Sequence, residues 1–484
     1  MLLSRLLGAE PALGSSDFDI AGISAHSAEV KPGWLFAALK GSKADGGRYV
    51  ADAIARGAVA ILTDRGTTIE AYGARVIEVD DARHTLAMVA SRFFNRQPLV
   101  VVAVTGTNGK TSTVHFTRQI WQAQGHESAS IGTLGVVAGA KRVPLRHTTP
   151  EPVELHRILA EVAADGVTHV AIEASSHGLD QRRLDGVRLR AAAFTNLSRD
   201  HMDYHATTEA YFGAKRSLFT SVLREGGVAV LNADVPEFAA LAADCRAHGV
   251  RTLSYGRAGN ELRVLGHRPN GSGTYVEVSV GGPTHTIRIP LVGEFQVWNA
   301  LCAAGLVIGS DGDLSATMRT LEHLEGVPGR MQQVAEINGA RVYVDYAHTP
   351  DAIEKVLRAL RPHARGKLVI VFGCGGDRDP GKRPVMGAVA ASLADRVIVT
   401  DDNPRTEDAA VIRAQVLRGC NGATEIGDRA VAIREAIAGL GEGDILVIAG
   451  KGHETGQIVG TTVYPFDDAE QARHAARELG GVVA

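Results

Sequence analysis

The chain has 484 residues, too long for one ordinary domain; at about 150 residues per domain it divides into three. A hydrophobic content of 45% and a charged content of 22% are those of a soluble globular protein. A net charge of -3 and an aromatic content of 5% argue against a basic nucleic-acid face and against base-stacking platforms.

The chain opens MLLSRLLGAEPALG, too short and too broken for a signal peptide. No apolar run approaches the ~18–20 residues that span a bilayer. Cys245, Cys302, Cys374 and Cys420 are far apart and form no CxxC pair, so neither a disulfide framework nor a zinc site is suggested. The expectation is a cytoplasmic protein with small-molecule substrates and no nucleic-acid or membrane partner. No long apolar seam is visible, so a monomer is expected.

Residues 1–98 read as a small α/β domain. Strands are predicted over Trp34–Leu39, Ala58–Thr63 and Arg75–Val79, and a helix over Ala82–Phe94. Gly41–Gly47 reads as a loop. On pattern alone this region says little about function.

Residues 99–327 carry the strongest local signal. Val101–Val104 is an apolar, β-branched run of the kind that makes a buried parallel strand. It breaks into Thr105-Gly106-Thr107-Asn108-Gly109-Lys110-Thr111, followed by a helical stretch Ser112–Gln124. Glycines let the backbone N–H groups face a phosphate, Lys110 adds a positive charge, and the Thr111 hydroxyl can reach a magnesium ion. Val104 stands where the general phosphate-loop pattern has its first Gly. Strands Val100–Val104, His169–Ala174, Ala191–Asn196 and Gly227–Asn232 alternate with helices such as Glu154–Ala164 and Thr208–Leu223, which predicts a mainly parallel, doubly wound sheet. Such sheets bind ligands at the carboxyl ends of their strands, where Thr148-Thr149-Pro150, Glu173–Gly178 and Asn196–His201 sit. Tyr275–Val280 and His285–Leu291, joined by Gly281-Gly282, read as an antiparallel hairpin.

Residues 328–484 restart the pattern. Strands Val342–Tyr346, Lys367–Phe372, Arg396–Thr400 and Asp444–Ala449 alternate with helices Pro350–Leu360, Val385–Leu393, Ala409–Leu417 and Arg429–Leu440. This is a second doubly wound, Rossmann-like domain. Its Gly373–Gly381 stretch lacks the GxGxxG spacing, so a bound dinucleotide is not supported.

Some residues invite chemistry without fixing it. Glu173 ends a strand opposite the phosphate loop, where a carboxylate suits a magnesium ion that prefers hard oxygens and keeps several waters; an ordinary strand-end Glu reads the same way. His201 lies in Arg199-Asp200-His201-Met202-Asp203-Tyr204-His205, and a structural histidine is the alternative to a ligand. Lys215, on the helical stretch Tyr211–Leu218, reads by itself as a solvated surface lysine. Asp402-Asn403-Pro404-Arg405 reads as a turn.

The segment TGTNGKT resembles the phosphate loop of the Mur ligase family, the amide-forming ATPases of cell-wall precursor synthesis. EASSHGLDQRR, FTNLSRDHMDYH, AYFGAKRSLF, GEFQVWNAL, VPGRMQQV, VDYAHTPDAIEKVL, GCGGDRDPGKRP, DDNPRTED and AGKGHE occur in the order found in its diaminopimelate-adding branch. The likeness runs through the central and C-terminal domains and is weaker in the first 98 residues. There the family's Asp-Ser-Arg is replaced by His26-Ser27-Ala28.

The resemblance implies a division of labour. Gly106, Thr107, Asn108, Gly109, Lys110, Thr111 and Ser112, with Asn299, Arg330 and Asp345 from the domain junctions, would bind ATP. Thr111, Glu173, His201 and Lys215, the last carbamylated by CO₂, would hold Mg²⁺; Lys110, Lys215, His201 and Glu173 would be the catalytic set. Thr148, Thr149, Ser175, Gln181 and Arg183 would bind a muramoyl-dipeptide, with Ala25, Ser27 and Ser42-Lys43-Ala44 on its uridine side. Arg378, Asp402, Asn403, Pro404, Arg405, Gly450 and Glu454 would hold the amino acid. The implied reaction joins meso-2,6-diaminopimelate to the D-glutamate of UDP-N-acetylmuramoyl-L-alanyl-D-glutamate through an acyl phosphate. Alternatives are an L-lysine-adding relative, a folylpolyglutamate synthase, a non-catalytic binding paralogue and a phosphate-loop motor. The DNPR sequence speaks against the first two, the intact Lys110, Glu173, His201 and Lys215 against the third, and the C-terminal motifs against the last.

Overall fold

The computed structural model describes residues 1–8, 17–41, 45–202, 204–270 and 273–483. Ser42, Lys43 and Ala44, expected on the uridine side, lie outside the described residues, as does Asp203.

Three large sheets follow one another along the chain, and the described residues add a two-stranded one, Gly456–Val459 with Thr462–Pro465. The first has four parallel strands in sequence order, Gly22–Ser24, Trp34–Ala37, Ala58–Asp64 and Arg75–Val79. The helix Ala82–Phe94 lies against it, capped by Asp81, whose side chain accepts from the His84 N–H. The second sheet has eleven strands. Its parallel middle runs, in spatial order, Leu262–Asn270, Arg251–Gly256, Val228–Asn232, Ala191–Phe194, Val100–Thr105, His169–Glu173 and Ser128–Gly132. Antiparallel strands extend both edges: Gly273–Val280 and Thr284–Ile289 on one side, Gly135–Ala138 and Lys141–Val143 on the other. The third sheet has five parallel strands, Thr424–Glu425, Arg396–Val399, Leu368–Phe372, Ile445–Ala449 and Ala340–Asp345, with Gln332–Ile337 and Val482–Val483 antiparallel at one edge.

The apolar run Val101–Val104 is continuous because both of its faces are covered. Val102 and Val104 pack under the phosphate-loop helix Lys110–Ala123 and the helix Glu294–Gly309, with Phe116, Trp121 and Leu301. Val101 and Ala103 face the opposite layer, with Leu155 and Leu159 of the helix Pro152–Ala164. This two-sided burial fixes the strand and leaves only its carboxyl end open for polar chemistry.

Several expected elements differ in extent. The phosphate-loop helix begins at Lys110, not Ser112, because Gly109 at φ 87° turns the chain directly into it. The expected helix Thr208–Leu223 divides into an α-helix Thr208–Ser217 and a π turn Leu218–Val222, whose Leu218, Phe219 and Val222 are all buried. The expected hairpin is the outer part of a three-stranded antiparallel unit that includes Leu262–Asn270. No helix among the described residues is long and apolar enough to cross a membrane.

The first domain is tied to the second by hydrogen bonds between His84 and Asp185 (2.6 Å) and between His26 and Glu151 (2.9 Å), and by an ion pair between Arg182 and Asp81 (3.3 Å). Behind them His156, 1% exposed, donates from Nε2 to the Asp185 carbonyl at 3.0 Å. Burial pushes its pKa down to about 4. The unfolded chain, with an ordinary histidine near pH 6.5, takes up that proton first. Stability is therefore full above pH 6.5 and falls as the pH drops toward 4, by up to about 1.4 kcal/mol per pH unit for this group. Chemical denaturation across that range should give a shallower acid slope for His156→Gln than for the wild type.

Candidate active site

The phosphate loop is shaped by its neighbours before any ligand arrives. The Asn196 carbonyl accepts from the Thr107 N–H at 2.8 Å, and Asn196 Oδ1 accepts from the Asn108 N–H at 3.0 Å. Thr195 Oγ1 donates to the Asn108 carbonyl at 2.6 Å. Gly106 has φ 143°, and a Cβ there would stand 1.9 Å from Thr195 Oγ1; a Cβ on Gly109 would stand 2.3 Å from Asn299 Oδ1. Both positions require glycine for space as well as conformation. The first-turn N–H groups of the helix Lys110–Ala123 have no intrahelical partner, and its Gly109 cap has no side chain to take them. These N–H groups and the helix dipole make the end of the loop an anion site.

Glu173 is 2% exposed and acts as a hub. Its Oε2 accepts from the Thr111 hydroxyl at 3.0 Å and from the Thr133 hydroxyl at 3.1 Å, and its Oε1 from the Thr133 N–H at 2.8 Å. A Cβ on Gly132 would meet Glu173 Oε1 at 2.2 Å, so the strand end must be glycine for the carboxylate to fit. Thr148 Oγ1 lies 3.3 Å from Thr133 Oγ1. Thr149 donates to the Glu173 carbonyl at 2.7 Å, accepts from the Ser175 N–H at 2.9 Å, and its carbonyl accepts from Arg183 Nη1 at 2.6 Å. Arg183 also holds Gln181 Oε1 at 2.7 Å. Thr148, Thr149, Ser175, Gln181 and Arg183, scattered over 36 residues of sequence, form one connected wall beside Glu173.

Lys215 is not a surface lysine. It is 1% exposed, and its Nζ donates to the Gly106 carbonyl at 2.8 Å. Lys110 Nζ donates to the same oxygen at 2.8 Å and to the Thr107 carbonyl at 2.8 Å. Burial pulls the Lys215 amine well below its ordinary value, and the Lys110 ammonium pushes in the same direction. Lys215 also lies over the Tyr211 ring, 4.3 Å from its centroid, and Tyr211 Oη is 3.1 Å from Thr107 Oγ1. His201 has φ 55° and its Nε2 is 3.6 Å from Asp200 Oδ2. Partial burial lowers the imidazole pKa despite Asp200, with Lys110, His177 and Lys215 adding to the fall.

The second and third domains meet across this loop. Arg330 Nη2 donates to Thr111 Oγ1 at 3.3 Å, and its guanidinium stacks 4.3 Å from the Tyr346 ring centroid. Asp345 accepts from the Met331 and Ala347 N–H groups at 2.7 and 2.8 Å; its burial raises its pKa, and Arg330 opposes the rise. Asn108 Nδ2 donates to Asp351 Oδ2 at 3.2 Å. A cavity of about 930 Å³ opens between the domains, lined by Asn108, Ser112, Asn299, Arg330 and Asp345 among others. Its size suits a nucleotide.

From Tyr346 the contacts continue to the far end of the third domain. The Tyr346 and His453 rings lie 5.2 Å apart. Beside His453, Glu454 Oε2 accepts from Asn403 Nδ2 at 2.8 Å. Asp402 and Asn403 are buried at the end of the strand Arg396–Val399, and Gly450 has no room for a side chain because a Cβ would stand 2.6 Å from Asp402 Oδ2. Arg405 is held at φ 52° by bonds on both sides, from its N–H to the Ile458 carbonyl at 3.0 Å and from the Gly460 N–H to its carbonyl at 2.7 Å. Its Nη1 donates to the Gly376 carbonyl at 2.7 Å. The glycine-rich Gly373–Gly381 segment thus backs Pro404 and Arg405, and Arg378 stands exposed on it.

Other expected residues are placed more loosely. Ala25 is half-buried and Ser27 opens a short turn Ser27–Glu29. The preceding His26 binds Glu151, the residue after Thr148-Thr149-Pro150, and the bond raises the His26 pKa. Among the described residues no three His, Cys, Asp or Glu side chains come together as a metal cluster. Thr111 and Glu173 nevertheless offer a hydroxyl and a carboxylate, the hard donors that suit a magnesium ion completing its shell with phosphate oxygens and water. Residues that sequence reasoning missed are Thr195 and Asn196, which mould the loop, and Thr133, which braces Glu173. Asn196 was visible as the end of a strand and the start of the polar Asn196–His201 segment, without a role of its own.

Comparisons with known proteins agree along the length of the chain. Residues 19–94 match the model described as Mur ligase family, catalytic domain; 104–307 match the Mur ligase middle domain; 329–452 match the Mur ligase, glutamate ligase domain. The chain is 53% identical to a UDP-N-acetylmuramoyl-L-alanyl-D-glutamate–2,6-diaminopimelate ligase of Rhizobium meliloti, over 97% of this chain and 96% of the relative. It is 52% identical to the ligase so named from Bradyrhizobium diazoefficiens, over 95% of each. A solved structure of a ligase of that name superposes with a TM-score of 0.70 at 35% identity, covering 95% of each chain.

The steric limit at Gly106 can be tested directly. Gly106→Ala forces strain of about 1–3 kcal/mol, or roughly 5- to 150-fold in nucleotide affinity, by titration calorimetry with a non-hydrolysable ATP analogue. Gly139→Ala, where a Cβ would meet open space, should leave that affinity unchanged.

Proposed function

The chain belongs to the Mur ligase family, and on that footing we propose that it adds meso-2,6-diaminopimelate to the D-glutamate of UDP-N-acetylmuramoyl-L-alanyl-D-glutamate at the expense of ATP. It is an amide ligase of peptidoglycan precursor synthesis. The observation that carries this reading is the unbroken line of contacts from Thr111 through Arg330, Tyr346 and His453 to the Asp402–Arg405 loop. It joins a phosphate site to an amino-acid grip.

A carboxylate does not condense with an amine in water, because resonance makes it a poor electrophile. Phosphorylation converts it into an acyl phosphate. The D-glutamyl carboxylate attacks the γ-phosphorus and ADP leaves; the amine then attacks the carbonyl carbon, the tetrahedral intermediate expels phosphate, and the amine proton passes to solvent or a nearby base. Phosphoryl transfer depends on alignment and charge neutralisation more than on covalent help. The Gly106–Thr111 backbone and Lys110 supply both at the phosphate. Thr148, Thr149, Ser175, Gln181 and Arg183 form the wall against which the dipeptide lies, next to Glu173. Thr111 and Glu173, with His201, would hold Mg²⁺, which when bound neutralises charge on the phosphates. Asn299, Arg330 and Asp345 clasp the nucleotide between the domains, excluding water that would hydrolyse the acyl phosphate.

Lys215 is assigned as the lysine that CO₂ carbamylates. A neutral amine attacks CO₂, forms an N–C bond and loses one proton, which turns a buried neutral amine into an anionic oxygen donor. The depressed pKa favours the neutral amine this step needs. Protein equilibrated with ¹³C-labelled bicarbonate should show a carbamate carbon signal that is absent from Lys215→Arg; identical spectra would remove the modification from the account.

Specificity for the amine is assigned to Arg405 with Asp402, Asn403, Pro404, Arg378, Gly450 and Glu454. A guanidinium can fork onto the distal carboxylate of diaminopimelate, which L-lysine lacks. Each hydrogen bond to a charged group lost costs about 1.5–3 kcal/mol, or roughly 10- to 150-fold. Arg405→Ala should lower kcat/KM for diaminopimelate by at least that range while KM for ATP stays near wild type. Near-normal kinetics of this variant would contradict the assignment.

A further inference from the structure

Among the buried charges of the third domain, Lys451 stands out because two of its three partners belong to the amino-acid grip. It is 0% exposed. Its ammonium donates to Asn403 Oδ1 at 3.0 Å, to Glu454 Oε2 at 3.3 Å and to the Gly456 carbonyl at 2.5 Å. An ammonium has three protons and no acceptor capacity, so these three partners satisfy it. It has no proton left for a substrate.

Its partners are placed by it. Asn403 Oδ1 accepts from Lys451 and from the Ile458 N–H at 3.0 Å, so the amide nitrogen must face Glu454, to which it donates at 2.8 Å. Glu454 Oε2 therefore receives two donors, and Oε1 is the oxygen left for an incoming ammonium. The Gly456 carbonyl begins the strand Gly456–Val459, which pairs with Thr462–Pro465 in a hairpin. The Ile458 and Gly460 backbone groups of that hairpin hold Arg405 in its left-handed conformation. One ammonium thus orients the carboxylate at one end of the grip and anchors the hairpin that orients the guanidinium at the other.

We propose that Lys451 is a positioning residue for the amino-acid substrate, fixing Asn403 and Glu454 directly and Arg405 through the Gly456–Pro465 hairpin. This rests on the reading of the Asp402–Arg405 loop as the diaminopimelate grip. The buried charge has a physical rationale there. A zwitterionic amino-acid head needs a carboxylate and a guanidinium held apart at fixed spacing. Lys451 and Asn403 hold Glu454 from within the protein, and Arg405 is held separately by the Gly376 carbonyl. Removing the lysine cation takes one donor each from Glu454, Asn403 and the Gly456 carbonyl, a change that a buried site does not absorb without rearrangement.

The test is steady-state kinetics of the full-length protein, varying ATP, UDP-N-acetylmuramoyl-L-alanyl-D-glutamate and diaminopimelate in turn. Lys451→Met should raise KM for diaminopimelate by roughly 10- to 100-fold, with KM for the other two substrates within about twofold of wild type. Lys451→Arg, which keeps the charge, should raise it less. In a Glu454→Gln background the Lys451→Met effect should shrink, because the carboxylate through which the lysine acts is gone. KM values for all three substrates rising together, or an unchanged KM for diaminopimelate, would overturn the proposal. If Lys451→Met does not fold, Lys451→Arg decides: a selective rise in KM for diaminopimelate supports the role, and kinetics identical to wild type overturn it. Wild-type protein turning over L-lysine in place of diaminopimelate would instead fail the underlying reading of the grip, independently of Lys451.

Discussion

The Gly106 carbonyl oxygen accepts two lysine ammoniums, Lys110 and Lys215, each at 2.8 Å. Two like charges on one neutral acceptor, inside a low-dielectric site, cannot both remain protonated without cost. Burial lowers both amines; at Lys110 the Glu173 and Asp200 carboxylates oppose the fall, while Lys215 is pulled well below its ordinary value with Lys110 adding to the shift. The balance tips Lys215 rather than Lys110 toward the neutral amine. Under the proposed carbamylation the second lysine becomes an anion that faces the first, and the repulsion becomes attraction. Lys215 can occupy this position only because the helix Thr208–Ser217 carries it under the loop, packed by the buried Tyr211.

The parallel sheet is what brings the parts to one place. Val100–Thr105, His169–Glu173 and Ala191–Phe194 are neighbours in register, so the loops after them emerge side by side. The phosphate loop, the Glu173 hub and the Thr195–His201 segment are those three loops. Glu173 then serves two purposes: it takes the Thr111 hydroxyl on the nucleotide side, and its backbone carbonyl takes Thr149 on the side of the dipeptide wall. The third domain repeats the plan, with Asp345, Asp402 and Gly450 following strands Ala340–Asp345, Arg396–Val399 and Ile445–Ala449.

Much of this was legible in the sequence, for reasons that can be stated. The strand at Val100–Thr105 shows as an apolar run because both faces are buried, and its loop shows because Gly106 and Gly109 are positions where a side chain would collide. Lys215 was not legible from its own surroundings, since a lysine near a helix end looks solvated; only the resemblance to a family marked it. Arg251–Gly256 and Leu262–Asn270 escaped notice because strands toward a sheet edge carry Arg, Ser, His and Pro that blur any periodicity. The left-handed backbone at His201 and Arg405 could not be read, because neither is glycine, and Arg405 is held there by Ile458 and Gly460, far along the chain. Lys451 lay in plain view in AGKGHE, but its role depends on Asn403, 48 residues away.

The central claim is that a phosphate site and a diaminopimelate grip act together in one ligase. It is tested most directly by ADP release from the purified protein with ATP, Mg²⁺ and UDP-N-acetylmuramoyl-L-alanyl-D-glutamate, in parallel reactions containing meso-diaminopimelate, L-lysine or no amine. The account predicts strong turnover with diaminopimelate and only background with the other two. Turnover with lysine, or none with either amine from folded protein, would contradict it.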